Sequence, residues 1–192
     1  MALALAGRVE QITCVDTDAN AIGFLRRELS ARGLSNVQAV QGDGERLAGR
    51  WDTVLLMNYR RWDDRLPHYL SLCGRNLIAI SRVNCESNAG LSHRYPMREG
   101  TARAIHARLT AMNARYTYRE ATLEYGQPFA DRAQAAAFVR EYAAELAESD
   151  VQPFLEKRLR QTGNERWPLY LPNEKRMGIF IIPALGGEDG EA

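Results

Sequence analysis

Lysine is almost missing from this chain of 192 residues: 2 lysines stand against 23 arginines. A GC-rich coding bias accounts for that skew, although the Arg60-Arg61 pair leaves an arginine-built anion or RNA surface as the alternative. An excess of one charge is also lacking. The formal net charge is +1, so no global field draws the chain toward nucleic acid or a membrane. Cysteine is sparse and odd in number. Cys14, Cys73 and Cys85 show no CxxC spacing, which argues against a disulfide framework and for reduced thiols in a cytoplasm. No apolar run approaches the roughly 18 residues that a membrane helix needs. The opening "MALALAG" is apolar but short, without a basic flank or an A-x-A site, which argues against a signal peptide. His68, His93 and His106 are far apart and have no ligand spacing, so no metal site is expected. Neither a G-x-S-x-G elbow nor a Walker-type phosphate loop occurs.

What is present is the profile of one ordinary globular domain over residues 1–185, with 45% apolar and 26% charged residues. The polar tail 186–192, "GGEDGEA", is expected to be disordered. The stretch 11–26, "ITCVDTDANAIGFLRR", reads as a short apolar strand, an acid at its end, a helix cap at Asp18 and an amphipathic helix. Before it, "ALALA" (2–6) reads as a helix tail closed by Gly7. Gly33 should stop the helix that Asp18 starts.

"NVQAV" (36–40) is the next strand, and "WDTVLLM" (51–57) is apolar enough for a buried parallel strand. A helix over about 63–73 ending at Gly74, a strand at 76–81 and a polar loop at 84–96 follow. The spacing then predicts a helix over about 98–113 and a half-exposed antiparallel strand over 115–125. Asp131 with Gln134 predicts a capping box for a helix through about 147, and Ser149 with Gln152 a second helix to about 161. A final strand is expected at 176–183. Alternating β and α elements with short connections imply an α/β fold, mostly parallel, with helices on both faces and an antiparallel edge.

These elements resemble a class I S-adenosylmethionine-dependent methyltransferase, read from the helix after its first strand. The resemblance covers residues 1–82 motif by motif, and the remainder in pattern only. In that family the second strand ends in an acid that holds the ribose hydroxyls, which Asp16 in "CVDTD" matches. The third leads to an acid near the adenine amino group, which Asp43 and the adjoining Gly44 in "VQGDGERL" match. The fourth delivers residues to the methyl-transfer site, here Asn58 and Tyr59. Asn58-Tyr59 echoes the (D/N)-P-P-(Y/F) loop of amino-group methyltransferases with both prolines absent. Local readings compete at each position: Asp16 and Asp43 can simply satisfy turns, and Trp51 and Trp62 can simply pack.

The resemblance implies S-adenosylmethionine as cofactor, an unidentified methyl acceptor, and the strand order 3-2-1-4-5-7-6. It also exposes a gap. The family's first strand ends in a G-x-G-x-G-like loop, and residues 1–40 contain no G-x-G. Met1 therefore reads as an internal methionine of a longer ancestral chain, with the central strand absent and cofactor binding weak or lost. Two alternatives stand beside the enzyme: a degenerate methyltransferase-fold interaction module without cofactor, and another Rossmann-like nucleotide binder. An incomplete sheet also offers an edge through which the chain could form a homo-oligomer.

Overall fold

The computed structural model describes residues 1–59, 62–83, 101–143 and 146–184. The expectations for Arg60-Arg61, for the 84–96 loop with Cys85 and His93, and for the tail 186–192 lie outside the described residues. By its internal contacts the chain divides into two units, Met1–Gly49 and Arg50–Ala192.

The first unit is a β-α-β motif preceded by a short helix. Helix α1 (Ala2–Leu5) runs into a 3-10 turn over Ala6–Arg8, so Gly7 lies inside that turn rather than closing a helix. Strand β1 (Ile12–Asp16) leads to α2 (Ala19–Ala31) and then to β2 (Val37–Gln41). Asp18 caps α2 as its position predicts, its Oδ1 accepting from the Asn20 N–H at 2.8 Å. Gly33 adopts φ 61°, the left-handed conformation that glycine enters at little cost, and the helix stops there. β1 and β2 pair in parallel from Ile12↔Val37 to Asp16↔Gln41. Ala6, Leu29 and Val37 form the buried centre, with Leu3, Ile12, Cys14 and Leu25 packed around them. Arg26 reinforces the helix–strand contact by donating to the Ala39 carbonyl at 2.9 Å.

The second unit is built on a four-stranded sheet of order β3-β4-β9-β5, formed by Trp51–Met57, Cys73–Arg82, Glu174–Pro183 and Thr117–Glu124. β3 and β4 are parallel, and β9 runs antiparallel to both β4 and β5. Three of the four strands therefore share one direction, as a mostly parallel sheet with an antiparallel C-terminal strand requires. Helices α3 (Leu66–Ser71) and α4 (Ala102–Ala111) pack on it. Ile105 and Leu109, one helical turn apart on α4, are fully buried, as are Leu77, Phe180 and Trp62.

Three local expectations change here. Gly74 does not end a helix: α3 stops at Ser71, and Gly74 lies in β4 against the backbone of Trp51 and Asp52. Ser149 is not a cap; the helix begins one residue earlier at Glu148, with Ala147 at its N-cap and no side-chain bond. Val54, Leu55 and Met57 are only half-buried and Leu56 alone is buried, because β3 pairs with β4 on one side and with no strand on the other among the described residues.

Between β5 and β9 the chain makes an excursion that sequence reading resolves only as two helices. It contains α5 (Arg132–Tyr142), α6 (Glu148–Arg158) and an antiparallel sheet of order β6-β8-β7, formed by Gln127–Phe129, Leu169–Leu171 and Arg160–Gln161. Its own buried cluster joins Phe129, Ala135, Val139, Val151, Leu155 and Leu171. Asp131 starts α5 by accepting from the Gln134 N–H at 2.7 Å. The reciprocal bond of the expected capping box is displaced by one residue, since Gln134 accepts from the Ala130 N–H at 2.9 Å.

Candidate functional site

In a parallel sheet, ligands meet the carboxyl ends of the strands. In the first unit those ends carry the two acids singled out above. Asp16 closes β1 opposite Gln41, and Asp43 lies two residues past Gln41, so both acids sit at the same end of adjacent strands. The corner is fastened locally. Asp16 Oδ1 accepts from the Asp18 N–H at 2.9 Å, the Gly42 N–H donates to the Asp16 carbonyl at 3.0 Å, and Gln41 Nε2 donates to the Thr17 carbonyl at 3.4 Å.

These bonds hold one oxygen of the Asp16 carboxylate and leave Oδ2 without a hydrogen bond among the described residues. Asp43 is used similarly. Its Oδ1 accepts from the Glu45 N–H at 2.9 Å, capping a 3-10 turn over Gly44–Arg46, while its Oδ2 lies 3.8 Å from Arg46 Nε. The turn roles that compete with ligand binding are thus real, but each takes a hydrogen bond at a single carboxylate oxygen, and the second oxygen of Asp43 meets only the exposed Arg46. A rigid carboxylate with an open oxygen can accept from a ribose hydroxyl or an exocyclic amine.

The second unit presents another strand-end corner. Asn58 ends β3 at φ 53°, a left-handed conformation in which asparagine is among the more tolerated side chains, and its N–H donates to the Ile80 carbonyl at 2.8 Å. The turn exposes the Asn58 side chain to solvent. Tyr59 follows, half-buried, its ring edge-on to Tyr69 at 5.8 Å between centroids. Trp62 is fully buried, donating from Nε1 to Ser81 Oγ at 3.3 Å and meeting the Phe180 ring edge-on at 5.5 Å. Trp62 is therefore a packing residue. Asp63 next to it is also buried and is bonded by Arg108 of α4, a pair that no local sequence signal marks.

The structure thus brings Asp16 together with Asp43 in one unit, and Asn58 together with Tyr59 in the other. His68 and His106 each contact aromatic rings, His68 against Tyr69 and His106 against Tyr116 and Tyr118. No group of three His, Cys, Asp or Glu side chains suited to a metal occurs among the described residues. No helix among them is long and apolar enough to cross a membrane.

No family model matches the sequence, and no curated protein matches it either. Solved structures do match. The YcgJ protein of Bacillus subtilis aligns over 93% of this chain and 86% of its own, with 11% identity and a TM-score of 0.54. BH2331 of Bacillus halodurans C-125, named for methyl transfer, aligns over 95% and 87%, with 11% identity and a TM-score of 0.52. The [4+2]-cyclase SpnF aligns over 96% of this chain and 70% of its own, with 16% identity and a TM-score of 0.53. Identities this low speak to the fold. Strand connectivity agrees with them: the pair β2-β1 and the sheet β3-β4-β9-β5 correspond to the 3-2 and 4-5-7-6 portions of the order 3-2-1-4-5-7-6. The chain has the Rossmann-like fold of the class I S-adenosylmethionine-dependent methyltransferases.

Proposed function

We propose that this chain is a methyltransferase-type domain that takes S-adenosylmethionine and serves methyl transfer to an acceptor. The observation that carries the reading is the placement of Asp16 and Asp43 at the carboxyl ends of adjacent parallel strands, with Asp16 Oδ2 left over from its turn and Asp43 Oδ2 facing only Arg46 at 3.8 Å. Asp16 would accept from the ribose hydroxyls, and Asp43 with Gly44 would lie along the adenine. In the second unit, Asn58 and Tyr59 are the candidates for contact with an acceptor. The cofactor supplies a methyl group already activated on a sulfonium. The protein's task is then to bind and align, and acid–base chemistry is secondary.

Isothermal titration with S-adenosylmethionine tests this, for the protein and for Asp16→Ala. Heat that Asp16→Ala abolishes supports the reading. Heat that Asp16→Ala leaves unchanged removes Asp16 from the cofactor site, and silence in both removes the cofactor from the account.

The second reading, an interaction module on the same fold, is favoured by the apolar strand β3, which pairs with no second strand among the described residues. It is also compatible with the variety of chemistry on this architecture, since SpnF is named a cyclase.

A further inference from the structure

The registers of the four-stranded sheet sort its charges by face. Side chains alternate between the faces of a strand, and residues directly opposite in a ladder share a face. Arg82, Met177 and Ala121 therefore share one face, and two residues along β9 Lys175 and Leu123 join them. The carboxylates of β5 and β9, namely Glu120, Glu124 and Glu174, point to the other face, where Glu120 pairs with Arg176. β4 has no acid. Arg82 ends β4 and Lys175 is the second residue of the antiparallel β9, so both lie at the carboxyl end of the parallel strands, as Asn58 does.

Arg82 and Lys175 are diagonal neighbours, about 7–8 Å apart at the backbone in such a ladder, so side chains of their length can converge on one group between them. Both are half-buried, and neither forms an ion pair or hydrogen bond with the described residues. The Lys175 ammonium instead lies over the Tyr125 ring, 4.0 Å from its centroid. Burial first, and the Arg82 charge second, hold that ammonium below its ordinary pKa. Two half-buried cations side by side repel each other, and an anion set between them turns that repulsion into attraction.

We propose that Arg82 and Lys175 together bind a phosphate monoester carried by the methyl acceptor, with the Tyr125 ring holding the ammonium in place. The guanidinium fork matches two phosphate oxygens and the ammonium acts on the group as a point charge. A phosphate monoester carries about −1.5 to −2 near pH 7, which balances two cations, whereas a phosphodiester carries a single charge. Assigning this group to the acceptor rests on the methyl-transfer reading. The anion seat itself is tested without cofactor, so either can fail while the other stands.

The scarcity of lysine makes the test direct, because Lys157 and Lys175 are the only two. Reductive methylation of the whole chain with a 13C label keeps both ammonium charges and gives each a signal by NMR, with Lys175→Arg assigning them. Methyl phosphate should shift the Lys175 signal saturably and leave that of Lys157 in place. Dimethyl phosphate should bind at least tenfold more weakly. Arg82→Gln should weaken methyl phosphate at least fivefold, while Arg119→Gln, on the same face but opposite Ile179, should leave the affinity as it is. No saturable shift at Lys175 overturns the proposal. So does equal affinity for the diester, or an equal loss in Arg82→Gln and Arg119→Gln, which would reduce the seat to diffuse attraction. Thermal unfolding of each variant separates a lost seat from a lost fold.

Discussion

Arg108 of α4 reaches Asp63, 45 residues earlier in the chain, and their ion pair fastens the segment after β3 to that helix. The two ends differ in environment: the Asp63 side chain is 2% exposed, the Arg108 side chain 40%. Asp63 Oδ1 is buried and has no hydrogen-bond partner among the described residues, and its other oxygen is held by Arg108. Arg108→Met leaves a buried charge without that ion pair. The expected cost is about 1–3 kcal/mol, below that of a fully buried pair because Arg108 is partly solvated. Urea denaturation of Arg108→Met, Asp63→Asn and the double variant measures the coupling, and additive losses would deny it.

Asn58 separates backbone from side chain. Its left-handed φ of 53° disfavours alanine and suits glycine. Asn58→Ala should lower stability by about 1–2 kcal/mol, while Asn58→Gly should leave thermal stability nearly unchanged. If Asn58→Gly nevertheless abolishes methyl transfer by a form that performs it, the side chain itself serves the acceptor.

A close approach in β9 gives a prediction about packing. A Cβ at Gly178 would lie 2.4 Å from Ala102 Cβ and 2.8 Å from Tyr118 Cε2. Gly178→Ala should therefore cost about 1–3 kcal/mol through overpacking. Ala102→Gly in the same chain should recover part of the loss, despite its own helix penalty. A mutant cycle in thermal unfolding checks the recovery.

Alkaline stability should carry the signature of Tyr118. Burial, then the hydrogen bond to Glu120 and that residue's charge, push its phenol up to about 12 from an ordinary 10. A raised folded value contributes stability that is present below pH 10 and lost as pH rises toward 12. Tyr118→Phe should flatten this alkaline limb in pH-dependent unfolding. An unchanged limb would assign the effect elsewhere.

Acid stability should involve Glu124. Its carboxyl is held below the usual range by the Asn173 N–H first, then by the Tyr170 hydroxyl and the Gly126 N–H. A depressed folded value contributes stability that is present above the unfolded value and lost as pH falls through the folded one. Glu124→Gln should remove that part of the acid transition, read by fluorescence across pH 2–6.

The elements legible in the sequence are those fixed by neighbours in the chain. Asp18 and Gly33 bound α2 through local bonds and a local φ, and alternation marks β5. Strands of two or three residues, such as β7 and β6, are too short to show a period, so the small sheet was not legible. The apolar run of β3 records which surroundings the strand favours, and burial on both sides does not follow from it. Asp16 and Asp43 were legible as strand-end acids. The Asp63–Arg108 pair was not, because nothing near either residue encodes a partner 45 positions away.

The excursion between β5 and β9 leaves the sheet at Glu124 and returns at Glu174, and those residues face each other in the ladder. One carboxylate oxygen of Glu124 gathers the Gly126 N–H, the Asn173 N–H and the Tyr170 hydroxyl, so departure and return are tied in a single knot. An insert with neighbouring ends and its own buried cluster is a portable graft. Exchanging residues 125–173 for a two-residue Asn-Gly hairpin turn should leave the host sheet able to close. The liberated site would accept a foreign domain whose termini lie equally near, turning this strand pair into a socket for protein engineering.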